Sequence, residues 1–332
     1  MAGNLSLTRT YNRIFSIMRD EAIEPYLWDN VSARTAYLYA MKAKGAIKEI
    51  GGKEHLSYKI LKELPVTEGY TDDGVLTPVR ADPYTRAIYE WKQLACPVQV
   101  TGLDMIKTGE GAEPDLLEAF IQAAEISMRD AIGGSSIGVF SSADEDTLTS
   151  ITGLQSILGS STTTGTVGRL SRATLSVWRH ISGNVASAFD TNGLNIMTTL
   201  YRQCTRADES PDLFVVNGST WDNFLRETTR TFQTHVPFMM GDPDQAMVEV
   251  GFPNVRFFGA TLFPDDGVTA NVGYAINSKY INILVREGRN AELGDFVKSA
   301  NRDDLVAYVF WAGNQICKGL RYNGVLLNAD TY

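Results

Sequence analysis

Residues 89–104 read YEWKQLACPVQVTGLD, and residues 115–132 read DLLEAFIQAAEISMRDAI. The first stretch continues an alternation that begins just before it. Ala87, Tyr89 and Trp91 fall on one face of an extended chain, with Arg86, Glu90 and Lys92 on the other. The second repeats at the helical period: Leu117, Phe120, Ile121, Ala124, Met128 and Ala131 form an apolar stripe. Asp115, Glu118, Gln122, Glu125 and Arg129 form the polar one, with Glu125 and Arg129 an i,i+4 pair. Pro114 suits a first helical position and Gly133-Gly134 a stop, so 114–132 is expected to be one helix.

Upstream, residues 68–85 (EGYTDDGVLTPVRADPYT) are dense in turn formers: Gly69, Asp72-Asp73-Gly74, Pro78 and Asp82-Pro83. With 86–102 they read as a long hairpin whose strands carry too little apolar surface to fold alone in water. Before it lie a helix over ARTAYLYAMKAK, which Ser32 can cap and Gly45 can end, and a strand-like piece, HLSYKILKEL. These first sixty residues hold few large aliphatic side chains, so they are expected to gain order from neighbours. Downstream come a helix near 190–206, a buried strand at DLFVV with a helix capped by Ser219 or Thr220, and strands at VRFFGATLF, VGYAINSKYINILVRE and DLVAYVFWAGNQICKGLRYNGVLL. No internal repeat is found, and low complexity is confined to Ser156–Gly168.

The chain has 332 residues, 44% hydrophobic and 21% charged, enough for a large core and about two domains. Its net charge of −9 disfavours general nucleic-acid binding. Only residues 1–64 are basic, with 10 Lys/Arg against 7 Asp/Glu; the remainder holds 20 against 32. Cys96, Cys204 and Cys317 are odd in number and far apart, which fits reduced thiols in a cytosolic compartment. Arg9, Arg13 and Arg19 interrupt the N-terminus where a signal peptide needs an apolar run, and the run Leu305–Gly313 is about half a membrane span, so no membrane association is expected.

Motifs for reaction chemistry are weak. Gly134-Ser135-Ser136-Ile137-Gly138 matches the nucleophile elbow, but a helix precedes Ser136 where the elbow needs a strand. Gly109-Glu110-Gly111 would set acids against a phosphate at a helix N-terminus. His55, His180 and His235 lack metal-ligand spacing, and the acidic clusters Asp144-Glu145-Asp146 and Asp265-Asp266 lack calcium-loop spacing. No catalytic, cofactor or metal residue is assigned. A large ordered chain without such a site suggests a structural role.

The order of the pieces carries more than any one motif. It runs through Gly51-Gly52-Lys53-Glu54-His55-Leu56, the EGYTDDG and LTP turns, and AIYEWKQLACPVQVTGLD. The helix and ITGLQSIL follow, then Pro211–Val216 with Trp221, and Asn277-Ser278-Lys279-Tyr280 near the close. Over essentially its whole length this set resembles the major capsid protein of a tailed bacteriophage, of the α+β HK97-type fold. The resemblance implies an N-terminal arm at 1–63 and an extended loop at 64–100 lying over a neighbour. It implies a peripheral domain at 101–185 and 303–332 with 114–132 as its spine helix, and an axial domain at 186–302. It implies a self-assembling icosahedral shell in the virion, built from hexamers and pentamers in the host cytoplasm and touching its double-stranded DNA weakly. Portal and decoration proteins would be partners, and a separate scaffolding protein too, since no long charged helix precedes the arm.

Interface candidates are Tyr70, Arg80, Arg86, Tyr89 and Trp91 on the loop and Arg13 and Arg19 on the arm. Tyr89 and Trp91 would anchor on a neighbour or pack on their own domain, and Arg80 and Arg86 would pair with acids across a boundary. Some family members cross-link through a loop lysine. None lies between Lys62 and Lys92 here, so no such bond is expected. Two alternatives stand beside this reading: an encapsulin-type compartment holding cargo, and a hydrolase using Ser136.

Overall fold

The computed structural model describes residues 35–65, 67–73, 81–103, 113–186, 188–232, 240–241, 253–298 and 301–330. In chain order the elements begin with α1 (Ala36–Ala43), β1 (Ile47–Ile50), β2 (Leu56–Leu61), β3 (Tyr84–Tyr89), β4 (Lys92–Thr101) and α2 (Glu113–Gly133). Next come α3 (Leu154–Ile157), β5 (Thr166–Val167), β6 (Leu170–Ser171), β7 (Ile181–Asn184), α4 (Phe189–Cys204), β8 (Leu213–Val216) and α5 (Gly218–Phe232). The last are β9 (Met240–Gly241), β10 (Val255–Phe257), β11 (Ala260–Pro264), β12 (Val272–Ile276), β13 (Ile281–Leu293), β14 (Val297–Lys298), β15 (Asp304–Cys317) and β16 (Gly324–Leu327).

Two sheets organise these elements. One runs β1-β13-β15, with β14 also on β15 and β4 on its other edge from Asp304↔Thr101 to Gly313↔Lys92. Helix α2 packs along β4 and buries Ile121, Ala124 and Met128 of the expected stripe together with Ile132, but Glu125 and Arg129, expected on the polar face, are buried as well. The other sheet has the order β7-β16-β12-β8-β11-β10-β9, with α4 and α5 packed against it. Its centre is dry on both faces. In β8, Leu213 and Val215 belong to the core shared with α1 and α2, whereas Phe214 and Val216 belong to the core beneath α4 and α5. A run of four buried residues follows, with no polar position at all.

Local signals explain the ends. Gly133 closes α2, and Gly45, at φ +65, turns the chain after α1. The start of α5 differs from expectation: Asn217, not Ser219 or Thr220, supplies the cap, its Oδ1 accepting the Ser219 N–H at 2.9 Å. Thr220 instead donates to Asp330 at 2.6 Å.

The sheets also divide the chain differently from the expected domains. Ala36–Ile50 is not an arm awaiting a neighbour. Five of the eight residues of α1 are buried, and β1 pairs in parallel with β13. Tyrosine, methionine and alanine do here what large aliphatics usually do. The expected loop at 64–100 loses β4 to the five-stranded sheet, and β3 pairs instead with β2, from Leu56↔Tyr89 to Leu61↔Tyr84. The boundary at 302/303 cuts between β13 and β15, which are paired from Ile281↔Cys317 to Leu293↔Val309. β16, expected in the peripheral domain, lies between β7 and β12 in the seven-stranded sheet. Alternation reveals a strand but not its partner, so these divisions had no signal to rest on.

Candidate assembly surface

The ribbon β2–β3 forms a sheet of its own. One face is buried. Leu56, Ile60, Ala87 and Tyr89 join the main core, with Tyr58 packed against it and the Lys318 ammonium 4.9 Å from the Tyr58 ring centre. Gly168 comes so close that a Cβ there would lie 2.8 Å from the Ala87 Cβ, and its φ is +60. Its carbonyl accepts the Ile88 N–H at 3.0 Å.

The root of the ribbon is tied by polar groups. The Tyr89 hydroxyl donates to the Cys317 carbonyl at 2.9 Å, and burial pushes its pKa well up, so it stays a neutral donor. Asn314 Nδ2 donates to the Glu90 carbonyl at 2.7 Å while its Oδ1 accepts the Thr152 N–H at 2.9 Å. The Glu90 carboxylate meets Arg169 and His55, each at 2.9 Å. Trp91 Nε1 donates to the Lys53 carbonyl at 2.7 Å. The Lys92 side chain is fully enclosed, its Nζ donating to the carbonyls of Glu145 at 2.7 Å, Thr147 at 2.6 Å and Asp144 at 3.3 Å. Burial pulls its pKa down, and nearby acids oppose that. The Glu145 carboxylate accepts the Gly168 N–H, so the loop that holds Lys92 also holds the turn beneath the ribbon.

Away from the root the picture reverses. Leu61, Leu64, Tyr70 and Tyr84 are 49%, 69%, 72% and 65% exposed. Large apolar side chains this open are of the kind that another molecule commonly covers.

The interface candidates therefore separate. Tyr70 is on the open part and Arg86 on the wet face of the ribbon. Tyr89 is corrected: it is fully buried in its own chain and has nothing left to offer a neighbour. Trp91 is half-buried against the same core. Arg13, Arg19 and Arg80 lie outside the described residues, as do Ser32, the Gly109-Glu110-Gly111 turn and His235. Lys92 and Asn314 were missed. The chain leaves β geometry at Glu90-Trp91, which moves the inward phase by one residue and turns Lys92 inside. A lysine heading an otherwise apolar inward row was the available signal.

The chemical motifs resolve in the same way. Ser136 sits exposed in a bend after α2, without the strand an elbow requires. His55 is at the surface with Glu90, whereas His180 is buried, its Nε2 2.8 Å from the Gly159 carbonyl, and burial lowers its pKa to about 4. Among the described residues no group of His, Cys, Asp and Glu could hold a metal ion, and no helix is long and apolar enough to cross a membrane.

No family model and no curated protein sequence matches the chain. Its fold does match solved structures. The asymmetric unit of the cyanophage A-1(L) capsid aligns with a TM-score of 0.63 and 16% identity, over 88% of this chain and 93% of that one. The capsid of Myoviridae phage XM1 gives 0.53 at 9% identity over 86% and 90%. The holo-SrpI encapsulin complex of Synechococcus elongatus PCC 7942 gives 0.51 at 12% identity over 88% and 89%. These likenesses show the fold: an α+β chain of the HK97 type.

Proposed function

We propose that the chain is a major capsid protein of a tailed bacteriophage, which self-assembles into the icosahedral shell around the double-stranded DNA genome. The observation that carries this reading is the ribbon: its root is tied by named bonds and its far part leaves four large apolar side chains in water. A neighbour covering those side chains recovers their transfer free energy, about 25 cal/mol per Å² buried. Each contact is modest, but a closed ring of copies lets every subunit give its ribbon to one neighbour and receive another's.

In this reading α2 with the five-stranded sheet is the peripheral domain, and the seven-stranded sheet with α4 and α5 is the axial domain, at the centre of hexamers and pentamers. The expected arm and loop boundaries shift accordingly, to residues before Ala36 and to the span between β2 and β3. A separate scaffolding protein, a portal and a decoration protein are the further partners, and the chain resides in the virion after assembly in the host cytoplasm. Its role is structural, with no catalytic step. Negative charge over most of the chain lets the packaged DNA slide past the wall.

Electron micrographs of the purified protein test the reading. Closed shells are expected, and particles with packaged DNA separate a capsid from the encapsulin-type compartment that shares the fold. Lys92 is enclosed and no lysine lies between Lys62 and it, so mature particles should run as monomer bands in denaturing gels. A ladder of covalent oligomers would refute the absence of cross-linking.

A further inference from the structure

Two neighbouring segments carry the chain between the sheets. β12 of the seven-stranded sheet leads into β13 of the five-stranded one, and β15 leads back into β16. The strands pair on either side of the crossing, at Ala275↔Gly324 and at Ile281↔Cys317, but the ladder is broken between them. In the gap the Lys318 N–H donates to the Tyr280 carbonyl at 2.8 Å, and the Asn277 N–H donates to Asn323 Oδ1 at 2.8 Å. One ring contact fills the same gap. Tyr280 stacks on Tyr322, and both are half-buried, so small molecules can reach them.

The stack has an unusual geometry. The rings are parallel to within 5°, with centres 4.2 Å apart, and their hydroxyls share a hydrogen bond. Both rings therefore point the same way, and the carbons beside one hydroxyl face those beside the other. Gly319 supports the pair from one edge: a Cβ there would lie 2.8 Å from Tyr280 Cδ1 and 3.1 Å from Tyr322 Cδ2. Burial, then Tyr322 and Glu209, push the Tyr280 pKa up to about 12, so the phenol is protonated at neutral pH. The Glu209 carboxylate is also a ready proton acceptor, held beside the ring by Lys279, whose Nζ lies 5.9 Å from the ring centre.

We propose that Tyr280 and Tyr322 form an oxidative modification site, at which a peroxide activated by a haem peroxidase joins them through a carbon–carbon bond. Each phenol gives up one electron and its O–H proton. The two radicals couple at the ring carbons beside the hydroxyls, and each of those carbons passes its hydrogen to its own oxygen, restoring both phenols. The chain loses two hydrogens in all, and one hydrogen peroxide becomes two waters. Rings already stacked in register couple faster than radicals that must meet by diffusion. The bond is a covalent rung across the broken ladder, tying together the two segments that join the sheets. It lies within one chain, so monomer bands in denaturing gels are unaffected.

Dilute full-length chain treated with hydrogen peroxide and a haem peroxidase tests this. The expected product is a monomer lighter by two hydrogen atoms, with dityrosine fluorescence and one cross-linked peptide holding Tyr280 and Tyr322. Its Tm should rise by about 5 °C, as for a chain closed by another covalent cross-link. Tyr322→Phe keeps the ring and should abolish the product, and Gly319→Ala, which crowds both rings, should cut its yield. An unbridged monomer, a bridge formed only through other tyrosines, or the same product from Tyr322→Phe overturns the proposal.

Discussion

The seven-stranded sheet and the β2–β3 ribbon solve the same problem in opposite ways. In the sheet, β8 is covered on both faces by its own chain, with Phe214 under α4 and α5 and Leu213 facing the main core. In the ribbon, one face is covered by the chain and the other shows Lys59, Leu61, Tyr84 and Arg86 to water. The first is a finished piece of protein. In the proposed shell the second is half of an interface. The difference teaches where folding stops and assembly begins along one continuous chain.

Removing a ring from the finished region should have the largest effect on stability. Phe214 is fully buried, its ring edge-on to Phe257 at 5.9 Å, and Phe257 in turn meets Phe224 at 6.0 Å. Phe214→Ala should destabilise the isolated chain by about 3–5 kcal/mol, read as a shifted denaturation midpoint. An unshifted midpoint would mean the sheet is not closed by its own chain.

The seam between the sheet and α1 offers a smaller, pH-dependent test. Asp265 accepts the Tyr37 N–H and the Gly267 N–H, each at 2.9 Å, and burial raises its pKa to about 6. Asp266 beside it adds to that shift, while the two N–H groups oppose it. A raised carboxyl pKa means the folded chain binds the proton more tightly than the unfolded one. The penalty for carrying charge is therefore present above pH 6 and fades as pH falls through 6 towards 4. From pH 7.5 to pH 5 wild type should gain on the order of 1 kcal/mol from this group. Asp265→Asn has no such gain, so the stability difference between the two should widen in favour of wild type over that range. Parallel curves would show that the carboxyl is not buried at the seam.

The smallest effect on stability belongs to the unfinished region, and it sharpens the comparison most. Leu64→Ser with Tyr70→Ser should move the Tm of the isolated chain by the equivalent of about 0.5 kcal/mol or less, as for other open surface positions. Particle formation should nevertheless fail. A clear loss of monomer stability would place those side chains against their own chain.

The sequence disclosed most of the elements and little of their pairing. The centre of the α2 stripe, at Ile121, Ala124 and Met128, and the turn at Asp72-Asp73 were legible because period and breaker residues are local properties. β8 was legible as a buried run, though not that its two faces serve two cores. The fate of Lys92 could not be read from the alternation before it, because one irregular step at Glu90-Trp91 inverts every inward assignment after it. Nor could spacing show that Lys59 faces Arg86, since that depends on the register of strands separated by a long loop.

The tied root of the ribbon has a mechanical consequence. β3 passes without a joint from Tyr84 to Tyr89, where the phenol holds Cys317 on β15, and Asn314 of the same strand grips the next carbonyl. A torque on the far end therefore cannot be absorbed by a hinge at the root. It is delivered into the five-stranded sheet, so the projection acts as a clamped lever. In the proposed shell, a change in the angle between two neighbouring subunits would be felt as twist in the body of the one whose lever is held.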